Sequence, residues 1–289
     1  MNRTLLSILA GLGGMVGWGS SDFFANSASE KVGHFKTFFW SQLAAIVLIL
    51  IMVFAVAPQW SFTPLLFGLT LFGAVMYTIG YLLFYKGFEI GNVSVVSAVI
   101  NTQTLFVILI SFLRGQRLSP FQIVGICLLL FGVLLVSVNF KDLQKGTMSL
   151  VIGVKETLIS AICFGVFYWP INEYVVEKIH WLPVVLMTKI IAVSLVFLIS
   201  QFQKKSLHIT HVKSKFVYLL IAIGVLEAVG VLSATFGQSY GDGIIVAPIS
   251  SALTIVTVAL AMIFLKEQIT KIQAAGIAIV VGGIILSAL

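Results

Sequence analysis

Leu118-Ser119-Pro120-Phe121-Gln122-Ile123-Val124-Gly125, followed by Gly132, returns as Ile269-Thr270-Lys271-Ile272-Gln273-Ala274-Ala275-Gly276, followed by Gly283, at a constant offset of 151. Each copy opens the apolar run that closes its half of the chain. Working back from these two runs, Gly80, Gly87 and Gly91 fall on Gly230, Gly237 and Gly241, and Ser41-Gln42 falls on Thr188-Lys189. The chain therefore reads as one unit written twice, over residues 1–145 and 146–289.

The composition says what kind of unit it is. Of 289 residues, 60% are apolar and 9% charged, against about 25% charged in an ordinary soluble domain. The mean hydropathy is +1.12. The apolar residues are blocked into runs of about 20, the length that crosses about 30 Å of hydrocarbon at 1.5 Å per residue. Spans are expected near 4–26, 35–57, 64–88, 93–113, 120–139, 149–174, 182–202, 216–238, 243–265 and 271–288. The longest connection, near 202–215, is too short for a soluble domain. Each half holds five spans, and an odd number of crossings makes the second copy enter from the opposite side of the membrane. The fold class is an all-α integral membrane protein of ten transmembrane helices, built as two inverted five-helix repeats. Two similar halves around a shared centre can rock to give alternating access.

A soluble enzyme, a nucleic-acid binder and a secreted disulfide scaffold are excluded together, because the net charge of +7 lies in loops that flank membrane spans. Loops between spans 1–2, 3–4, 5–6, 7–8 and 9–10 carry twelve lysines: Lys31, Lys36, Lys86, Lys141, Lys145, Lys155, Lys204, Lys205, Lys213, Lys215, Lys266 and Lys271. The other side has Arg3, Arg114, Arg117 and Lys178. Basic residues accumulate on the cytoplasmic face, so both termini are expected outside the cytoplasm, in a multi-pass protein of the inner or plasma membrane. Cys127 and Cys163 lie within apolar runs and are expected to pack as small hydrophobes rather than form a disulfide or bind metal. Ala25-Asn26-Ser27-Ala28 loosely resembles a signal-peptide cleavage site, but the repeat argues that the first span is retained.

Charge inside a span costs about 2.5–3.5 kcal/mol on insertion scales, which makes Glu227 and Lys189 candidates for function. Glu227 is twelfth of some 23 residues in span 8, and Lys189 is eighth of 21 in span 7. Their depths differ by about 6 Å, so the two long side chains can meet. Two readings stay open, a buried ion pair that fixes packing or a site for a proton or a charged solute. Tyr77, Tyr81 and Tyr85 stand at i, i+4 and i+8 in span 3, and Tyr77 is the repeat counterpart of Glu227. Tyr85 fits an interface belt, while Tyr77 and Tyr81 are deep enough to face a wet cavity.

In span 4, Ser97, Asn101 and Thr104 share one face, answered in span 9 by Ser250, Ser251, Thr254 and Thr257 after Pro248. These residues either bond neighbouring helices or line a solute path. Trp18 with Ser21 in span 1, and Tyr168-Trp169-Pro170 with Asn172 in span 6, supply aromatic walls and a helix break. Gly13 and Gly17 read as close helix packing. Gly237-Gln238-Ser239-Tyr240-Gly241 matches G-x-S-x-G, but His34, His180, His208 and His211 lie at loops or helix ends, where no catalytic triad is expected. Tyr240-Gly241-Asp242-Gly243 lacks the second facing carboxylate that an aspartyl protease needs. No zinc, phosphate-loop or dinucleotide pattern appears, so neither metal nor cofactor is expected.

The Gly17-Trp18-Gly19-Ser20-Ser21-Asp22-Phe23-Phe24 segment, the Gln42 and Lys189 positions, and the paired Arg117-Leu118-Ser119 and Lys266-Glu267-Gln268-Ile269-Thr270 turns resemble the EamA family of the drug/metabolite transporter superfamily. The likeness runs from about 4 to 287. It implies a secondary carrier, not an enzyme, with a central cavity lined by spans 1, 3, 4, 6, 8 and 9. The implied solute is an amino acid or related metabolite moved outward, with sugar or nucleoside uptake as the alternative. An intramembrane lipid-handling enzyme and a passive scaffold are the readings from other classes. The sequence departs from the family at Gln42, where many relatives carry a basic residue, and at Gln116, where many carry an acidic one. Substrate-contacting candidates are Trp18, Ser21, Tyr77, Tyr81, Asn101, Tyr168, Trp169, Ser251 and Thr254, with Glu227 and Lys189 as a proton-coupling site or ion pair. Expected partners are a small-molecule solute and membrane lipids, with no nucleic acid, in a monomer or homodimer.

Overall fold

The computed structural model describes residues 3–113, 119–137, 150–209, 214–240, 246, 249–266 and 269–287. Its helices are α1 (Arg3–Val32), α2 (His34–Val56), α3 (Pro64–Ile90), α4 (Val93–Ile100), α5 (Thr102–Leu113), α6 (Pro120–Ser137), α7 (Val154–Ile162), α8 (Trp169–Val176), α9 (Trp181–Phe202), α10 (Ser214–Tyr240), α11 (Leu253–Leu260) and α12 (Lys271–Ser287). Two π-helical turns, Cys163–Tyr168 and Ala261–Leu265, join α7 to α8 and extend α11. Among the described residues five helical stretches are long and apolar enough to cross a membrane: His34–Val56, Pro64–Ile90, Val154–Val176, Trp181–Phe202 and Phe216–Tyr240.

The side chains are distributed as lipid demands. Phe54 and Phe202 are 81% and 86% exposed, whereas Lys189, Gln42 and Glu227 are among the largest fully buried side chains. Hydrocarbon provides no partner for a polar group, so polar side chains turn inward. Cys163 is buried and Cys127 exposed, both as free thiols.

Local sequence sets the helix ends. Asn92 accepts from Val95 N at 3.1 Å, and Thr63 accepts from Leu66 N ahead of Pro64. Thr270 and Gln273 exchange bonds, Gln273 N to Thr270 Oγ1 at 3.2 Å and Thr270 N to Gln273 Oε1 at 3.0 Å, a reciprocal cap. The first helix runs to Val32, beyond the expected 26, and stops where Gly33 takes φ 87°. Glu89 receives His34 N at 2.7 Å, placing a carboxylate at the start of α2.

Span 4, expected unbroken, divides at Asn101. Asn101 Nδ2 bonds Ser97 O at 3.2 Å, Thr102 Oγ1 bonds Val99 O at 2.6 Å, and Asn101 N turns back to Ala98 O. Short polar side chains compete here for the helix carbonyls. A similar tightened turn, Ala252 N to Ile249 O, precedes α11. In span 6 the π-helical turn comes just ahead of Pro170, which lacks the N–H of a regular ladder.

The repeated glycines are where helices cross. A Cβ on Gly132 would lie 2.7 Å from Gly276 O, and one on Gly283 would lie 2.7 Å from Gly125 O. Exchanging every residue for its counterpart turns the first contact into the second, and α6 and α12 cross antiparallel. The same holds elsewhere: Gly17 of α1 abuts Gly230 of α10, while Gly80, the counterpart of Gly230, abuts Phe164. Gly237 meets Ala10 and its counterpart Gly87 meets Thr157. Gly13 packs against Ser233, as the close-packing reading required.

Candidate functional site

At the centre four polar side chains from α2, α3, α9 and α10 converge. Lys189 Nζ forms an ion pair with Glu227 Oε2 and donates to Gln42 Oε1 at 2.8 Å and Tyr77 OH at 2.5 Å. All three ammonium donors are thereby used. The ammonium also lies 4.8 Å from the centroid of the Tyr77 ring. Glu227 Oε1 accepts from Tyr77 OH at 2.8 Å and from Tyr81 OH at 3.3 Å. Lys189 is 0% exposed and Glu227 1%. Two charges out of water are tolerable only with such complete pairing.

The partners are not arbitrary. Gln42 and Lys189 are counterparts 147 residues apart, and Tyr77 and Glu227 are counterparts 150 apart. Each of these two hydrogen bonds joins a position in one half to the same position in the other. At the offset of 150 that relates Gly91 to Gly241, Asn101 and Thr104 answer Ser251 and Thr254, so the bond of Asn101 Nδ2 to Thr254 Oγ1 at 2.5 Å and that of Thr104 Oγ1 to Ser251 Oγ at 2.9 Å are images of each other. The first half contributes the neutral members, Gln42 and Tyr77, and the second half the charged ones.

Beside this centre lies a small, partly open cavity. Trp18 and Asp22 of α1 form one wall, Tyr77, Tyr81 and Phe84 of α3 another, and Phe164 with Trp169 a third. Ile100, Gln103, Val231 and Leu253 complete it. These residues come from spans 1, 3, 4, 6, 8 and 9, the set implied by the resemblance. Trp18 and Trp169 meet edge to face at 5.5 Å, and Trp169 Nε1 donates to Gln103 Oε1 at 3.2 Å. Its lining presents aromatic faces with a few polar atoms, the composition of a small-solute site.

Of the candidates, Trp18, Tyr77, Tyr81 and Trp169 line this cavity. The others face elsewhere. Ser21 Oγ donates to Ile223 O at 3.0 Å, Thr104 Oγ1 to Ser251 Oγ at 2.9 Å and Thr254 Oγ1 to Ser97 O at 2.5 Å, so these side chains bond helix to helix. Tyr168 packs between Tyr77 and Trp169 and lines a smaller neighbouring cavity of about 190 Å³ with Asn172. Tyr85 does not belong to an interface belt. It is fully buried, with its ring set against Phe38, Tyr81 and Phe88 on the inward face of α3. Ser239 bonds Thr235 O in its own helix. Asp242, Gly241, Gly243, Pro248, Gln116, Arg114, Arg117, His211, Glu267, Gln268, Lys141, Lys145 and Lys213 lie outside the described residues.

Asp22 was not singled out by the sequence. It is 4% exposed and borders the cavity, with no hydrogen bond or ion pair to any described residue. The signal was the one that marked Glu227, an acidic residue well inside a helix.

Residues 5–138 and again 151–289 match one family model, that of the EamA-like transporter family. The chain belongs to this family. EamA-like proteins are transporters rather than enzymes, so this chain is a multi-pass membrane protein that moves small solutes. A protein of known crystal structure superposes over 97% of this chain and 96% of its own with a TM-score of 0.73 and 17% identity, a likeness of fold. No curated protein sequence shows a significant match.

Proposed function

We propose that this EamA-like transporter is a ten-helix secondary carrier whose two inverted five-helix halves, residues 1–145 and 146–289, rock about the centre formed by Gln42, Tyr77, Lys189 and Glu227. The observation that carries this reading is the set of hydrogen bonds that the repeat maps onto itself, Gln42 to Lys189 and Tyr77 to Glu227 between counterparts, and Asn101 to Thr254 with its image Thr104 to Ser251. Such self-matched contacts arise where an axis relating two copies passes through them, and the antiparallel crossing of α6 and α12 puts that axis perpendicular to the helices. Carriers of this design bind solute near the midplane, between the copies.

The solute on this reading is an amino acid or related metabolite, exported through the cavity beside Trp18, Tyr77, Tyr81 and Trp169. The close Lys189–Glu227 pairing supports a structural role for Glu227, since its carboxylate oxygens are already taken by Lys189, Tyr77 and Tyr81. Both termini face away from the cytoplasm. In support, the ends carrying Lys86, Lys205 and the α1–α2 junction gather on one side, where Lys205 lies over Phe35 and Lys86 bonds Glu89 beside His34.

A thermal-shift screen of the purified protein against amino acids, sugars, nucleosides and cationic drugs tests the solute class, because a ligand that binds the folded state raises its apparent stability. A rise confined to amino acids and their relatives supports the reading, and a rise confined to sugars or nucleosides replaces it with uptake of those solutes.

A further inference from the structure

Among the described residues three charged side chains are buried: Asp22, Lys189 and Glu227. Lys189 and Glu227 neutralise one another, and the remaining hydrogens of the Lys189 ammonium go to Gln42 and Tyr77. Asp22 is left as a carboxyl without a cation among the described residues. An ionised carboxylate removed from water and left unpaired is costly, so Asp22 is held either as the neutral acid or against a positive charge from outside the chain, and its place on the cavity wall admits the second.

The surroundings specify what kind. Trp18 precedes Asp22 by one helical turn on the same face, and both border the central cavity together with Tyr81, Phe84 and Trp169. Trp18 and Trp169 stand edge to face at 5.5 Å, and Tyr81 and Phe164 at 5.1 Å, so several rings bound one small space. Aromatic faces attract an organic cation and a carboxylate pairs with it directly. The Trp18 Nε1–H is buried without a partner and gives a donor to an acceptor elsewhere on the same ligand. A metal ion fits less well, because the nearby Glu227 carboxylate is already taken by Lys189, Tyr77 and Tyr81 and no metal-holding cluster of His, Cys, Asp or Glu occurs among the described residues.

We propose that Asp22 anchors a protonated amine on the transported solute, inside an aromatic box formed by Trp18, Tyr81 and Trp169. This rests on the carrier reading and narrows its substrate class to ammonium-bearing organic molecules. Lys189 and Glu227 then hold the centre together while Asp22 supplies the charge selectivity.

The test compares three probes of one shape on the full chain in detergent micelles: phenethylamine, 2-phenylethanol and 3-phenylpropionate, with binding followed by calorimetry. The wild-type protein should prefer the amine over the alcohol by tenfold or more and bind the acid least. Asp22→Asn should bring amine affinity down to that of the alcohol and leave alcohol affinity unchanged. Asp22→Glu, which keeps the charge, should retain the preference even if the asparagine variant fails to fold. An amine preference that survives in Asp22→Asn, or no preference in the wild type, overturns the proposal. Solute exchange in proteoliposomes separates it from the carrier reading. Saturable exchange of neutral or anionic solutes without amines leaves a carrier and removes the Asp22 assignment, whereas no exchange of any solute class removes both.

Discussion

Lys189 and Glu227 form an enclosed ion pair that is completed by their own repeat counterparts, Gln42 and Tyr77. Duplication alone would have put like beside like at these positions. A pair of ammonium groups or a pair of carboxylates at such contact would repel, so two equivalent positions that touch across an axis are best occupied by different side chains. Here each charged residue of the second half faces a neutral hydrogen-bonding residue of the first, and the two charges satisfy one another.

The pair should therefore behave as a unit in unfolding measurements. Glu227→Gln or Lys189→Met alone should cost on the order of 3–5 kcal/mol, because each leaves one buried charge uncompensated. The double variant should recover much of that loss. Strictly additive losses would show that the two side chains do not depend on each other, and a pH-dependent flux that disappears in Glu227→Gln while stability stays unchanged would make Glu227 a proton carrier instead.

The repeated glycines make a second prediction, with its control in the next residue. A Cβ on Gly283 would come within 2.7 Å of both Gly125 O and Leu129 N, whereas one on Gly282 meets nothing within 4 Å. Gly283→Ala should destabilise by about 1–3 kcal/mol through overpacking at the helix crossing. Gly282→Ala should be neutral or slightly stabilising, since alanine is the better helix former. Equal effects in thermal unfolding would mean that α6 and α12 do not cross there.

Much of this was legible before any coordinates. The apolar runs located the helices because hydrocarbon thickness sets their length, and the offset between Gly125 and Gly276 named the residues that later touch. Lys189 and Glu227 stood out because buried charge is costly. What failed was local. The expected first span ended at 26, which put Asp22 near a membrane surface, but α1 continues to Val32 and carries Asp22 into the bundle. The division at Asn101 depends on side chains taking up helix carbonyls, which hydropathy does not register. Whether Ser21, Ser251 and Thr254 would bond helices or line a cavity depends on helix rotation, and a polar stripe in sequence is the same in both cases.

Trp169 separates binding from folding. It is half-buried at the cavity wall, bonded to Gln103 and set against Trp18. Trp169→Ala should weaken solute binding tenfold or more while shifting the unfolding temperature little, as removal of a ring from a cavity wall leaves the helix ladders intact. Tyr81→Ala should affect both, because Tyr81 also bonds Glu227 and packs on Phe38 and Phe164. Normal binding by Trp169→Ala would move the site elsewhere.

Membrane orientation is open to chemical labelling on intact cells. A single cysteine at Lys205 should resist an impermeant thiol reagent until the cells are broken, and one at Asn2 should react at once, as expected if the lysine-rich loops face the cytoplasm. The reverse pattern would invert the whole assignment.

The central claim is that the two halves carry a solute across by turns, and counterflow tests it most directly. Purified protein is reconstituted into vesicles preloaded with an excess of one unlabelled solute identified by the binding screen, and entry of the same solute in labelled form is followed from outside. A carrier should drive a transient, saturable accumulation of label above its external level, reduced at least tenfold by Trp169→Ala. Label that only equilibrates, at a rate linear in concentration and equal to that of protein-free vesicles, would contradict the account.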